Sequence, residues 1–108
     1  MISLIEQRRP EVSALCRQYG VQSLDVYGSA ADGAFDPARS DIDFLVTFGA
    51  EDRSNLFNRY FGLQESLEQL FGRKVDLVST AGLINPYFIA SINRSRQPLY
   101  AAPRPQAA

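Results

Sequence analysis

Asp41 and Asp43 stand two residues apart in Ser40-Asp41-Ile42-Asp43, at the entrance of the apolar run Phe44-Leu45-Val46. Side chains alternate along a strand, so the two carboxylates point one way and Ile42 and Phe44 the other. Paired carboxylates at the mouth of an apolar strand repel each other and resist desolvation. A divalent cation with oxygen ligands relieves both costs. A third carboxylate, Asp76, lies inside the run KVDLVS, residues 74–79, where a charge needs a partner. Upstream, Gly28-Ser29 closes the short apolar run Leu24, Val26, Tyr27. Gly28 lets the backbone approach a phosphate closely, and Ser29 with the N–H groups after it can donate to one. If the strands bearing them are neighbours, Asp41, Asp43 and Asp76 converge beside Gly28-Ser29. That set suits metal-assisted phosphoryl or nucleotidyl transfer, in which two divalent ions about 3.5–4 Å apart clamp the attacking and leaving oxygens. Each piece alone has a plainer explanation. Asp-x-Asp is common in turns, Gly-Ser is commoner still, and a lone strand Asp is usually salt-bridged, here to Arg39 or Lys74. The joint order carries the signal.

The elements that must position these residues follow from periodicity. Leu4, Ile5, Val12, Leu15, Cys16 and Tyr19 form a helical stripe over Ser3 to Tyr19, stopped by Gly20. Pro10 either kinks that helix or sits in the first turn of one starting near Arg9. Val21 to Tyr27 is a strand with Leu24 and Val26 on one face and Asp25 and Tyr27 on the other. Ser29 is placed to cap a helical turn over Ala30 to Gly33. Asp41 to Phe48 is a second strand, apolar beyond Asp43 as expected where both faces are covered. Arg53 to Phe71 is a long helix whose Leu56, Phe57, Tyr60, Phe61, Leu63, Leu67, Leu70 and Phe71 read as core, with Gly72 ending it. Gly62 interrupts it without an evident reason. Lys74 to Ser79 is a third strand, with Val75 and Leu77 facing opposite to Asp76 and Val78. Asn85 caps, and Pro86 opens, a short helix that buries Phe88, Ile89 and Ile92. Pro98-Leu99-Tyr100 adds an edge strand. The expected fold is α/β (α+β), a three- to four-stranded mixed sheet with helices packed against it, over residues 1–100. Residues 101–108 form a disordered tail.

Composition narrows the function classes. The chain has 108 residues, room for a real core but not for an additional binding module. A net charge of −1 excludes a broad nucleic-acid footprint, which needs clustered excess Lys and Arg. No His and a single Cys remove the usual zinc sets and any intrachain disulfide. MISLIEQRRP turns charged too soon for a signal peptide, and no apolar run approaches a bilayer span. A cytoplasmic protein is expected.

Gly28-Ser29, eleven further residues, then Asp41-Ile42-Asp43 resembles the signature of the polymerase-β-like nucleotidyltransferase superfamily. The short length, the segment RYFGLQESLEQLFGRKVDLV and the INPYF…PLY ending are similar to its minimal nucleotidyltransferases (MNT, MntA-like antitoxins). The resemblance covers nearly all of residues 12–100. It implies the small nucleotidyltransferase fold, ATP as substrate, and Mg²⁺, two ions, held by Asp41, Asp43 and Asp76. It implies that Asp76 ligands the metal nearer the nucleophile, and that Gly28 and Ser29 hold the triphosphate. It further implies a HEPN-domain toxin as partner, silenced by AMP transfer to one of its tyrosines, in a hetero-complex or homo-oligomer. A different class of function stays open: an antitoxin that neutralises by binding alone. Two features depart from the pattern. Asp32 stands where many relatives carry a basic residue (Gly-Ser-x-x-Arg-Gly), and would repel a triphosphate if it faced one. The loop before Asp41 is one residue longer than the commonest spacing.

Overall fold

The computed structural model describes residues 1–38, 40–49 and 55–103. The helix start expected at Arg53 and the ion pair through Arg39 lie outside these residues, as does most of the expected tail.

Four strands form one mixed sheet. They are β1 (Val21–Tyr27), β2 (Ile42–Phe48), β3 (Val75–Ser79) and β4 (Gln97–Ala101), in the order β3-β2-β1-β4. β1 runs antiparallel to both β2 and β4, whereas β2 and β3 are parallel. The parallel pair needs a crossover connection, and the helix between those strands supplies it. β4 is the edge strand anticipated from Pro98. It extends through Ala101, and Ala102 N–H donates to Gln22 O at 2.8 Å, so the ordered chain continues past residue 100.

The helices are α1 (Ser3–Glu6), α2 (Arg9–Gln18), α3 (Ser29–Asp32), α4 (Leu56–Phe71) and α5 (Pro86–Ser95), with a 3₁₀ turn at Thr80–Gly82. The single first helix expected over Ser3 to Tyr19 is in fact two. Pro10 sits in the opening turn of α2, where its missing N–H costs nothing. Asn85 caps α5 as its sequence suggests, accepting from Tyr87 N–H at 2.9 Å and Phe88 N–H at 3.3 Å.

Strand alternation sorts the core into two layers. Leu24, Val26, Ile42, Phe44, Val46, Val75, Leu77 and Leu99 face α1, α2 and α4, whose Ile5, Val12, Cys16, Leu63, Leu67 and Phe71 complete the main core. The opposite face carries a smaller cluster, Tyr27, Leu45 and Ile92, flanked by Val78 and Leu83. Two expectations need correction. Leu56, Phe57 and Phe61 are exposed at 36, 73 and 48% and do not join the core. The buried stripe of α4 is Leu63-Leu67-Phe71, and at about 100° per residue Phe61 projects roughly 200° away from Leu63. Phe88 is likewise exposed rather than buried, meeting Tyr27 edge-on at 6.2 Å between centroids.

Gly62 acquires its reason here. A Cβ at this position would lie 2.6 Å from Cε1 of Tyr19. The missing side chain lets α2 close on α4, and the Tyr19 hydroxyl pairs with Ser66 Oγ at 3.1 Å.

Candidate active site

The carboxylates meet through strand register. Asp43 on β2 has Asp76 of β3 as its neighbour on one side and Tyr27 of β1 on the other. All three belong to the face opposite the main core, where alternation put them. The row lies where β1 ends and where β2 and β3 begin, so the Gly28 turn leaves the sheet beside it. Asp41 precedes the first residue of β2, and its carboxylate contacts Lys74 Nζ at 4.0 Å. That long, solvated pair holds Asp41 loosely. Lys74 therefore serves Asp41 and not Asp76.

Electrostatics single out Asp43. Burial pushes its carboxyl up to about 6, and the negative charges of Asp76 and then Asp41 add to the effect. Asp41 and Asp76 themselves are exposed. The Tyr27 hydroxyl is pushed upward too, first by burial, then by Asp43 and Asp76. The face thus accumulates negative charge on partly desolvated groups.

The turn after β1 is shaped around Asp43. Gly28 has φ +72° and ψ −148°, a backbone that side-chain-bearing residues avoid. A Cβ there would fall 2.7 Å from Asp43 Oδ2. Glycine is required twice over, for the dihedral and for the space. Gly28, and not Ser29, is the N-cap of α3, which corrects the expected cap. Its carbonyl accepts from Ala31 N–H at 3.0 Å and Asp32 N–H at 3.1 Å, and Ser29 is the first helical residue. Asp32 is exposed, and its Oδ1 accepts from Ala34 N–H at 2.9 Å. Its carboxylate is committed to its own turn.

Residues that motif reasoning did not find hold Asp76 in register. Lys74 O accepts from Ile42 N–H, so the backbone groups of Val75 and Leu77 point away from β2 along the open edge of β3. Three side chains one helical turn apart on α4 cover that edge. Glu68 Oε2 accepts from Val75 N–H at 3.1 Å, Gln64 Nε2 donates to Val75 O at 3.1 Å, and the Tyr60 hydroxyl donates to Leu77 O. The i, i+4, i+8 spacing of polar residues beside the apolar stripe was the available signal. An edge strand with its polar groups satisfied does not slip, and a slip of one residue would turn Asp76 to the wrong face.

A strand, a Gly-Ser turn, an Asp-Ile-Asp strand, a helix and an Asp-bearing parallel strand follow one another in the chain, with Asp43 and Asp76 side by side. Residues 12–99 match the family described as nucleotidyltransferase domain. The chain belongs to the nucleotidyltransferase family. This nucleotidyltransferase is 40% identical over 75 residues to the Methanocaldococcus jannaschii protein MJ1379, which carries the name of a protein adenylyltransferase; the match spans 69% of this chain and 73% of that one. A second protein of that organism and the same assigned activity, MJ0128, is 36% identical over 84 residues, 78% of this chain and 82% of that one. Among solved structures, a minimal nucleotidyltransferase superposes with a TM-score of 0.71 at 34% identity, covering 87% of this chain and 91% of that one. The fold also matches, at 18% identity and a TM-score of 0.63, a complex of the tri-AMPylated Shewanella oneidensis HEPN toxin with its MNT antitoxin. That match covers 91% of this chain and 73% of the other. The expected fold, three to four strands with packed helices, is the one found. No helix among the described residues is long and apolar enough to cross a membrane.

Whether Mg²⁺ suits the site is a question of donors and space. The donors are hard carboxylate oxygens, and burial with like-charge repulsion already raises Asp43, which a cation would relieve. The bare Gly28 backbone lies against Asp43 Oδ2, where a side chain would collide with it. Among the described residues no three ligand-type side chains are gathered closely enough to enclose an ion. Register sets Asp43 beside Asp76, and Asp41 lies two residues before Asp43. In donor chemistry, hard carboxylate oxygens, the residues suit the ion.

Proposed function

We propose that this nucleotidyltransferase is a Mg²⁺-dependent protein adenylyltransferase and an antitoxin, transferring AMP from ATP to a tyrosine of a HEPN-domain toxin. The observation that carries the reading is the side-by-side placement of Asp43 and Asp76 on parallel neighbours, with Gly28 packed over Asp43. Support comes from the name of MJ1379 and from the likeness in fold to an MNT antitoxin bound to an AMPylated HEPN toxin.

Asp41, Asp43 and Asp76 would hold Mg²⁺, which when bound supplies positive charge against the triphosphate and acidifies a coordinated hydroxyl. The chain's own residues do the rest. Gly28 and Ser29 would hold the triphosphate, the glycine by leaving the backbone unobstructed and the serine at the first turn of α3. Asp32 is exposed, so solvent screens its charge along that approach. Asp76, exposed and on the edge strand β3, would face the acceptor. There the phenolic oxygen attacks the α-phosphorus, the bond to the β-phosphate oxygen breaks, and pyrophosphate leaves. The phenolic proton passes to a carboxylate and then to water. In-line placement of nucleophile and leaving group is the main contribution of such a site.

Incubation with labelled ATP, Mg²⁺ and the partner toxin should label a toxin tyrosine, and Asp41→Ala/Asp43→Ala should abolish the label. Full transfer by that double variant would end the proposal. Asp76→Asn should keep ATP binding and lose transfer.

A second reading is neutralisation by binding alone. Ile84 (89%) and Tyr87 (85%) expose apolar surface around the start of α5, the helix whose Phe88 meets Tyr27. If the doubly substituted protein still restrains the toxin in cells, binding is the better account.

A further inference from the structure

The turn that carries Gly28 is fastened from the far end of the chain. Gly28 N–H donates to Ser95 Oγ at 2.8 Å. Gln97 Nε2 donates to Ala31 O at 3.1 Å. Between them, Arg96 Nε donates to the carboxylate of Asp25, which is only 6% exposed. Three consecutive residues at the junction of α5 and β4 therefore grip β1 and the turn after it.

The grip matters most at Gly28. Its dihedrals are open to glycine alone, but glycine is also the residue least able to hold any one conformation. Within α3, the Ala31 and Asp32 N–H groups bond to the Gly28 carbonyl. The N–H is fixed from outside, by a hydroxyl 67 positions later. Because the bare Cα of Gly28 lies against Asp43 Oδ2, whatever fixes the Gly28 amide also fixes the gap between this backbone and the carboxylate row.

We propose that Ser95 is a positioning residue: its hydroxyl holds the Gly28 amide and so presets the Gly28-Ser29 turn against Asp43 for nucleotide binding. This rests on the reading of Gly28-Ser29 as the triphosphate contact. Ser95 touches neither nucleotide nor acceptor in this account. Its effect is to remove the ordering that ATP would otherwise have to impose on the turn, so its loss weakens ATP binding.

The test uses the full chain and two substitutions. Ser95→Ala should raise both Kd and KM for ATP about five- to tenfold, the effect of one lost hydrogen bond. The KM for the toxin should be nearly unchanged, and the melting temperature should fall by no more than the few degrees that one hydrogen bond accounts for. Ser95→Thr keeps the oxygen and should restore ATP affinity. Without any nucleotide, hydrogen exchange at the Gly28 amide should be slow in the parent and in Ser95→Thr and faster in Ser95→Ala. Equal ATP affinity in parent and Ser95→Ala, or equal exchange at Gly28, overturns the proposal. So does a fall in melting temperature with kcat and both KM values disturbed together, which marks a merely structural serine. If the parent transfers AMP and Ser95→Ala matches it, the positioning role alone fails. If the parent neither binds ATP nor transfers AMP, the functional reading fails and the positioning role with it.

Discussion

Replacing Asp43 by Asn should stabilise the metal-free protein at neutral pH, although it removes a residue at the centre of the candidate site. The Asp43 carboxyl is raised from 3.8 to about 6 in the fold, by burial first and then by Asp76 and Asp41. Between those values the folded state binds more protons than the unfolded one. Stability from this group is therefore full below the unfolded value, declines as pH rises through the window, and stays lost above it. At roughly 1.4 kcal/mol per pH unit the displacement corresponds to about 3 kcal/mol. Water still reaches part of the carboxylate and screens it, so about 1–2 kcal/mol is the expectation. For a domain of this size, each kcal/mol moves the melting temperature by about 4–8 °C. The assay is thermal unfolding in EDTA across a pH series, for the parent and Asp43→Asn. The variant should melt higher at neutral pH, and the two curves should converge below about pH 4, where the parent is protonated. Adding Mg²⁺ should reverse the order, raising the parent and leaving the variant unmoved, since a ligand stabilises only the state that binds it. A variant that melts lower in EDTA at neutral pH, or a gap that does not change with pH, would refute the charge argument. Equal stabilisation of both proteins by Mg²⁺ would refute the assignment of Asp43 as a ligand.

Other substitutions test the packing around the site. Gly28→Ala should abolish nucleotide transfer and cost about 1–3 kcal/mol of stability, because the new methyl meets Asp43 Oδ2 in a backbone conformation it disfavours; unchanged ATP affinity and melting would contradict this. Gly62→Ala would add about 1 kcal/mol in an open helix, but here the clash with the Tyr19 ring should leave a net loss of about 1 kcal/mol. In a Tyr19→Ala background the same change should become stabilising, and denaturant unfolding of all four proteins decides it. Arg96→Met should cost about 2 kcal/mol, since it strands the buried Asp25 carboxylate while Arg96 itself is half in water; loss below about 0.5 kcal/mol would mean that water pairs Asp25 instead.

The pairing of faces was legible before any coordinates, because alternation along a strand is local geometry. Leu24 with Val26, Ile42 with Phe44, and Val75 with Leu77 had to turn away from Asp25, Asp43 and Asp76, whichever way the strands were assembled. The Asn85-Pro86 helix start and the Gly28 and Gly72 breaks were readable for the same reason: caps and left-handed glycines act within one turn of chain. Helix faces were harder. Phe57, Phe61 and Phe88 carry the apolarity of core residues, but an aromatic ring on an exposed face is spelled like one on a buried face until the partner surface is known.

Assembly decided everything that joins distant segments. Asp43 is the cross-strand neighbour of Asp76 only because β3 adds in parallel at the edge of β2, and that register is held by Tyr60, Gln64 and Glu68 of α4. Gly62 faces Tyr19, Arg96 neutralises Asp25, and Ser95 holds Gly28 across separations with no periodicity to betray them. Sequence alone determined which residues share a side of each strand, since that depends on bonds between adjacent residues. The tertiary structure decided which of those sides meet, since that depends on how the whole chain best buries its apolar surface while satisfying its polar backbone.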